Sequence, residues 1–247
     1  MQILKFDELG STNNHAKALI QEGKAKDRQV IYDVAQTAGR GQAANTWESD
    51  AGKNLTFSMI IQPKNIEPKN QFLICQAVSV GLVKYLKFAV EGDLVRIKWP
   101  NDIYVGMKKI AGILIEHSIQ GNQILFSVIG VGLNVNQTEF SENVPNPTSL
   151  SIVNNTQYDL ETELDELTTF IALTLECLQF DEGEDTRTEY LQHLLFLGEE
   201  REYEVRGERV IGKIMGVNAF GLLQIQTDKG ALLECDLKEV EIGRAHV

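Results

Sequence analysis

Five consecutive residues, Lys98-Trp99-Pro100-Asn101-Asp102, put a cation, an aromatic plane, a rigid proline and two oxygen-bearing side chains at the exit of a strand-like run. Side chains gathered there converge on a ligand more readily than on a core, although an Asn-Asp turn after a buried Trp would look the same. Seven residues past Asp102, Lys109 opens Lys109-Ile110-Ala111-Gly112-Ile113-Leu114, in which small residues follow a point charge. That pattern suits an ammonium held over a narrow apolar slot. Gly130-Val131-Gly132-Leu133-Asn134 supplies two positions without side chains and then an amide, as a flat ligand would require. Upstream, the loop Gly39-Arg40-Gly41 follows another strand, so its backbone N–H groups can turn toward a carboxylate or phosphate. Taken alone it is equally a flexible turn with an exposed arginine. It is neither a Walker A loop nor a complete G-x-G-x-x-G fingerprint, which disfavours the common nucleotide-binding folds.

The chain has 247 residues and a net charge of −12. The length fits one large domain with a small appendage, and the sign of the charge opposes non-specific binding to nucleic acid. From Glu139 to Glu204 there are 17 acidic residues against two basic ones, whereas Gln36 to Glu116 holds ten Lys or Arg against seven Asp or Glu. An anionic ligand is therefore expected in the first half. Cys75, Cys177 and Cys235 lie far apart and are odd in number, which predicts reduced thiols and a cytoplasmic protein. The start, MQILKFDELG, has no leader-like run and no segment reads as a membrane span. His15, His117 and His193 have no zinc-ligand spacing and read as core or surface residues.

The elements that must position these residues follow from periodicity. ILKFDEL reads as a strand, followed by a helix capped at Ser11-Thr12, running through Ala16, Leu19 and Ile20 and ended by Gly23. Strands are predicted at 30–35 and at 54–62, the latter with Leu55, Phe57, Met59 and Ile61 on one buried face, and a long helix at 71–89. Three strands at 95–99, 111–117 and 124–135 are joined by loops containing Asn101-Asp102, Gly106 and Gly121-Asn122. Helices follow near 160–180 and 186–196. Past Gly198, short alternating runs cut by Gly207, Gly212, Gly216, Gly221 and Gly230 predict a small antiparallel barrel. The expected division is 1–197, 198–241 and a tail, 242–247, that resembles translated adapter read-through and is set aside together with His246.

In order and spacing these segments resemble the catalytic domain of biotin–protein ligases. The resemblance rests on Ser11-Thr12-Asn13, Gln36 to Gly41 with Trp47 and Asn54-Leu55, Lys98 to Asp102, Lys109 to Glu116, Gly130 to Asn134 and Thr148-Ser149-Leu150. It covers about residues 8–150, and the glycine-rich tail is similar to that family's SH3-like C-terminal domain. The implied fold is α+β, a mixed β-sheet flanked by helices of the class II synthetase-like biotin/lipoate ligase type. The implied activity joins biotin and ATP as biotinyl-5′-AMP with loss of pyrophosphate, then transfers biotin to a lysine of a biotin carboxyl carrier protein domain. By position, Ser11, Thr12, Asn13, Gln36, Gly39, Arg40, Gly41 and Gln42 would hold biotin, and Gly112, Leu114, Gly130 and Leu133 would line its slot. Lys109 and Arg40 would be catalytic, Lys109 sitting by the carboxylate and α-phosphate. Trp47, Asn101, Asp102 and Asn134 would serve ATP, with Asp102 as the one candidate ligand for Mg²⁺.

The charges agree with those assignments, because a carboxylate and a triphosphate repel one another and need fixed cations between them. One segment departs from the family. Gln42-Ala43-Ala44-Asn45 stands where further arginines and a glycine are usual, which removes two cations from the phosphate side. The resemblance implies a monofunctional enzyme without the DNA-binding domain that some members carry, with no nucleic-acid or membrane partner and with homodimer formation left open. Two other readings stay in view: a lipoate or octanoate transferase sharing the fold, and a catalytically impaired biotin-binding module.

Overall fold

The computed structural model describes residues 1–42, 46–92, 94–180 and 182–242. The suspected tail beyond 242, together with Ala43, Ala44 and Asn45 of the altered loop, lies outside them. Strand β1 (Gln2–Leu9) leads through α1 (Thr12–Gln21) into β2 (Gln29–Gln36), and the two strands pair in parallel, as a helical crossover requires. β3 (Leu55–Ile61), β4 (Val95–Lys98), β5 (Asp102–Val105), β6 (Lys108–Gln120) and β7 (Gln123–Leu133) complete a mixed seven-stranded sheet in the order β1-β2-β3-β7-β6-β5-β4. Every pair after the first is antiparallel.

Pleating gives this sheet two unequal faces. Val30, Tyr32, Leu55, Phe57, Met59, Ile129, Val131 and Leu133 point into the main core, against α2 (Phe72–Ala89) and α4 (Leu160–Cys177). On the other face Ile31, Ile60 and Val128 pack on Ala16 of α1. All seven residues of β3 are buried, so it has no solvent face such as strict alternation suggests. It lies between β2 and β7, with helices on both sides. The stretch Pro68–Ala89 is apolar and long enough by composition to cross a bilayer, but most of it is buried between the sheet and α4.

Two elements were not legible. β5 is four residues long and begins where Asn101-Asp102 reads as a loop, and α3 (Leu150–Asn154) is a five-residue turn capped by the Ser149 side chain. The last helix, α5 (Glu184–Gln192), starts earlier than its periodicity suggests. Beyond it, β8 (Glu200–Val205), β9 (Glu208–Val217), β10 (Leu223–Thr227), β11 (Leu232–Cys235) and β12 (Val240–Glu241) form an antiparallel sheet in the order β11-β10-β9-β8-β12. Arg206 and Gly207, both at positive φ, make the two-residue turn from β8 to β9. The indole of Trp99 donates to the Gly221 carbonyl at 3.0 Å, and Gly198 N donates to Ile214 O at 2.8 Å. One apolar core runs through both sheets.

Candidate active site

A single register row crosses the whole large sheet: Phe6, Asp33, Thr56, Gly132, Gly112, Asp102 and Lys98 are successive partners on β1, β2, β3, β7, β6, β5 and β4. Most of these residues lie on the face that α1 covers only in part. Along β7 that face reads Phe126, Val128, Gly130, Gly132, and along β3 Ile60, Ser58, Thr56, so apolar bulk under α1 gives way to small and polar residues. A cavity of about 690 Å³ opens there.

One end of the cavity is lined mostly by uncharged polar side chains, with the Glu116, Lys17 and Arg40 ion pairs beside them. Ser11 is at the N-cap position of α1, yet its side chain makes no cap hydrogen bond, contrary to the capping role its sequence context suggests. Thr12 N donates to Gln36 Oε1 at 3.1 Å, and Ser58 Oγ lies 2.7 Å from Thr12 Oγ1 and 2.6 Å from Asn13 Oδ1. Asn13 Nδ2 donates to Glu116 Oε2 at 2.9 Å. Glu116 also receives Lys17, and Arg40 at 2.9 Å, while Arg40 donates to Asn14 Oδ1 at 2.7 Å. Burial would push the Glu116 carboxyl up, but the bonds from Lys17, Asn13 and Arg40 together hold it below the usual carboxylate range.

The other end is charged. Lys109 Nζ lies 2.6 Å from Asp102 Oδ1 and 5.8 Å from the centre of the Trp47 ring. The segment before Asp102 is fixed from three sides. Asn101 Nδ2 donates to Ile113 O, Ile113 N donates to Asn101 O at 3.0 Å, and Tyr190 Oη donates to Pro100 O at 3.2 Å. Lys98, Tyr104 and Met107 continue the wall, and Leu237, Lys238, Val240, Glu241 and Ile242 close it from the C-terminal sheet. No sequence signal marked these C-terminal residues, since they are brought in by the packing of the two sheets.

Most of the expected site residues therefore meet in one place: Ser11, Thr12, Asn13, Gln36, Arg40, Gly41, Gln42, Trp47, Asn101, Asp102, Lys109, Gly112, Leu114 and Gly130 all line the cavity. Three do not. Leu133 is one residue out of phase with Gly130 and Gly132, so the pleat turns it into the core, where it is fully buried. Asn134 lies past the end of β7 and is buried, with its amide donating to Thr148 O at 2.9 Å. Gly39 is buried where a side chain would strike the Trp47 carbonyl, and its own carbonyl accepts from Trp47 N at 3.1 Å. It closes the loop against Trp47.

The glycines on β7 also have a different reason from the one their sequence suggests. A Cβ on Gly130 would overlap the Asn13 amide, and one on Gly132 would overlap the Trp47 indole. They make room for the protein's own side chains. Trp47, expected beside a nucleotide base, rests on Gly132 and within 3.2 Å of the space a Gly112 Cβ would take.

Asp33 lies in the same row behind Thr56. It is fully buried, Thr56 Oγ1 donates to its Oδ1 at 2.5 Å, its Oδ2 has no hydrogen-bond partner among the described residues, and burial pushes its carboxyl up to about 6. The folded protein thus holds this proton more tightly than the unfolded chain, whose value is ~3.9, so stability falls as pH rises from ~4 to about 6 and then levels off. The loss is of order 2–3 kcal/mol. Asp33→Asn is expected to raise the melting temperature at pH 8 and not at pH 4. Equal shifts at both pH values in parallel thermal melts would rule out the buried charge as the cause.

Residues 6–134 match the biotin/lipoate A/B protein ligase family. The bifunctional ligase/repressor BirA of Bacillus spizizenii is 27% identical over 243 residues, covering 96% of this chain and 73% of that protein. The biotin–[acetyl-CoA-carboxylase] ligase of Mycobacterium tuberculosis is 31% identical over 145 residues, which is 58% of this chain and 52% of that one. With several other curated relatives the match spans less than half of their length. Among solved structures, the biotin protein ligase of Aquifex aeolicus in complex with biotin and ATP superposes over 99% of both chains with a TM-score of 0.80 at 24% identity, a likeness of fold.

Proposed function

Because the chain belongs to the biotin/lipoate A/B protein ligase family, we propose that it is an ATP-dependent biotin–protein ligase acting on the biotin carrier domain of a carboxylase. The observation that carries this reading is the two-ended cavity, in which a hydrogen-bonding end of Ser11, Thr12, Asn13 and Gln36, with Arg40 beside it, is joined to an end that carries Lys98 and Lys109. A ureido ring carries both donors and acceptors and so matches Ser11, Thr12 and Gln36. A dithiolane or an alkyl chain offers these groups no hydrogen bonds and gains nothing from them, which argues against lipoate or octanoate.

In the first step a biotin carboxylate oxygen attacks the α-phosphorus of ATP. The bond from that phosphorus to the α–β bridging oxygen breaks, and its electron pair leaves with pyrophosphate. Lys109 offsets charge where the two anions meet, and Arg40, released from Glu116, can reach the carboxylate. In the second step the carrier's lysine amine attacks the acyl carbon, the acyl–oxygen bond breaks, AMP leaves and the amine loses a proton to solvent. No nucleophilic side chain of this protein is needed. Asp102 would hold Mg²⁺ together with phosphate oxygens. Among the described residues no three His, Cys, Asp or Glu cluster as a metal site, which fits a cation carried largely by the nucleotide. That ion would neutralise phosphate charge. The three cysteines are unpaired, which supports a cytoplasmic location.

With biotin, ATP and Mg²⁺ the protein is expected to label a biotin carrier domain and to catalyse biotin-dependent ATP–pyrophosphate exchange. Exchange without transfer would limit it to the adenylate step. Folded protein inert in both assays would overturn the reading and favour a binding module, and faster exchange with lipoate or octanoate would redirect it.

A further inference from the structure

Asp33 enters none of the catalytic roles above, yet it stands directly behind the cavity wall. It is the cross-strand partner of Thr56, which lines the cavity, and it is fully buried. Thr56 Oγ1 donates to Asp33 Oδ1 at 2.5 Å, its other acceptor, at 3.4 Å, is Asp33 O, and Asp33 Oδ2 has no hydrogen-bond partner among the described residues. A buried carboxyl left half-unsatisfied costs stability, and groups of that kind gather at functional sites. Above about pH 6 this carboxyl is ionised and can only accept. The single hydroxyl proton of Thr56 is then committed to Asp33, away from the cavity, and the Thr56 oxygen presents the cavity with lone pairs alone.

The neighbouring hydroxyls are wired in the same sense. Asn13 Oδ1, 2.6 Å from Ser58 Oγ, can only accept, so it takes the Ser58 proton. The Thr12 proton has Ser58 Oγ at 2.7 Å and Gln36 Oε1 at 3.5 Å as its acceptors. Thr12 and Thr56 therefore both offer a ligand acceptors. Ser11 Oγ makes no cap hydrogen bond and keeps its proton for a ligand. One donor and two acceptors are the complement of a cyclic urea, with its one carbonyl and two N–H groups. Resting on the biotin reading given above, we propose that Asp33 is a positioning residue that sets specificity: by holding the Thr56 proton it makes Thr56 an acceptor for a ureido N–H and turns the site against ring analogues that present oxygen there.

The test is calorimetric binding, at pH 8, of biotin and of the two cyclic carbamates in which one ureido N–H or the other is replaced by oxygen. That change keeps the ring's shape and turns one donor into an acceptor. The unaltered protein is expected to bind both carbamates about 100-fold more weakly than biotin. In Asp33→Ala the freed Thr56 proton can be donated to a ring oxygen, so for one of the two carbamates the ratio to biotin is expected to fall by about tenfold or more, chiefly because that carbamate binds more tightly. Thr56→Ser keeps a hydroxyl against Asp33 and should retain the ratio, whereas Thr56→Val should lower it through weaker binding of biotin. If Asp33→Ala does not fold, Asp33→Asn carries the same expectation, since its amide can donate to Thr56 Oγ1 instead of accepting. A residue that only packs between β1 and β3 would affect all three ligands alike, and unchanged ratios in the folded Asp33 variant overturn the proposal. If the folded, unaltered protein does not bind biotin at all, the ligase reading fails and the role of Asp33 fails with it. The two failures are told apart by the unaltered protein alone.

Discussion

Lys109→Ala is expected to slow biotin adenylation by ~10²–10³, a loss of about 3–4 kcal/mol of transition-state stabilisation. The ammonium is half-buried beneath Trp47, and its only ion-pair partner among the described residues is Asp102 at 2.6 Å. In so little water a fixed charge aimed at two converging anions acts far more strongly than it would on the surface. Removing it also breaks the ion pair that fixes Asp102, the candidate Mg²⁺ ligand, which adds to the loss. Pre-steady-state formation of biotinyl-5′-AMP measures the effect without interference from transfer. A decrease smaller than about tenfold would place the reacting atoms elsewhere in the cavity.

Gly130→Ala is expected to be nearly as damaging, through position instead of charge. The added methyl would overlap the Asn13 amide, which cannot easily turn away. Its oxygen is engaged by Ser58 at 2.6 Å, and its nitrogen by Glu116 at 2.9 Å and Leu114 O at 3.3 Å. Strain of this kind in a packed region costs about 1–3 kcal/mol. Moving Asn13 would also disturb Glu116, the residue that tethers Arg40 and Lys17. Biotin affinity is therefore expected to fall by about tenfold or more with a modest drop in melting temperature. Calorimetric biotin binding within about twofold of the unaltered protein would show that the Asn13 cluster yields freely and does not shape the site.

Much of the site's chemistry was legible in the chain itself. Lys98 to Asp102, Lys109 to Leu114, and Gly39 to Gly41 each carry residue types that ordinary core or surface positions do not demand, and all three stretches contribute to the cavity wall. The helix at Phe72–Ala89 and the strands around Leu55–Ile61 and Gln123–Leu133 were equally plain, because long apolar periodicity reports burial directly. Short elements escaped. A four-residue strand such as Asp102–Val105 has too few positions to show alternation, and it forms because β4 and β6 supply hydrogen-bonding partners on both sides.

The sequence by itself determined which groups are available: a loop arginine, two lysines and a carboxylate near them, a cluster of hydroxyl and amide side chains at the start of α1, and glycines where bulk would obstruct. Only the tertiary structure decided their use. Register is a relation between strands, so no single strand's pattern could put Gly132, Gly112, Asp102 and Lys98 in one row. Pleat parity sent Leu133 to the core and Gly130 to the cavity, although they are three residues apart. The reason the glycines are needed came from Asn13 and Trp47, which are far away in the chain and touch them only after folding. The C-terminal sheet joined the cavity wall through packing alone, because contact across a shared core leaves no periodic trace in either segment.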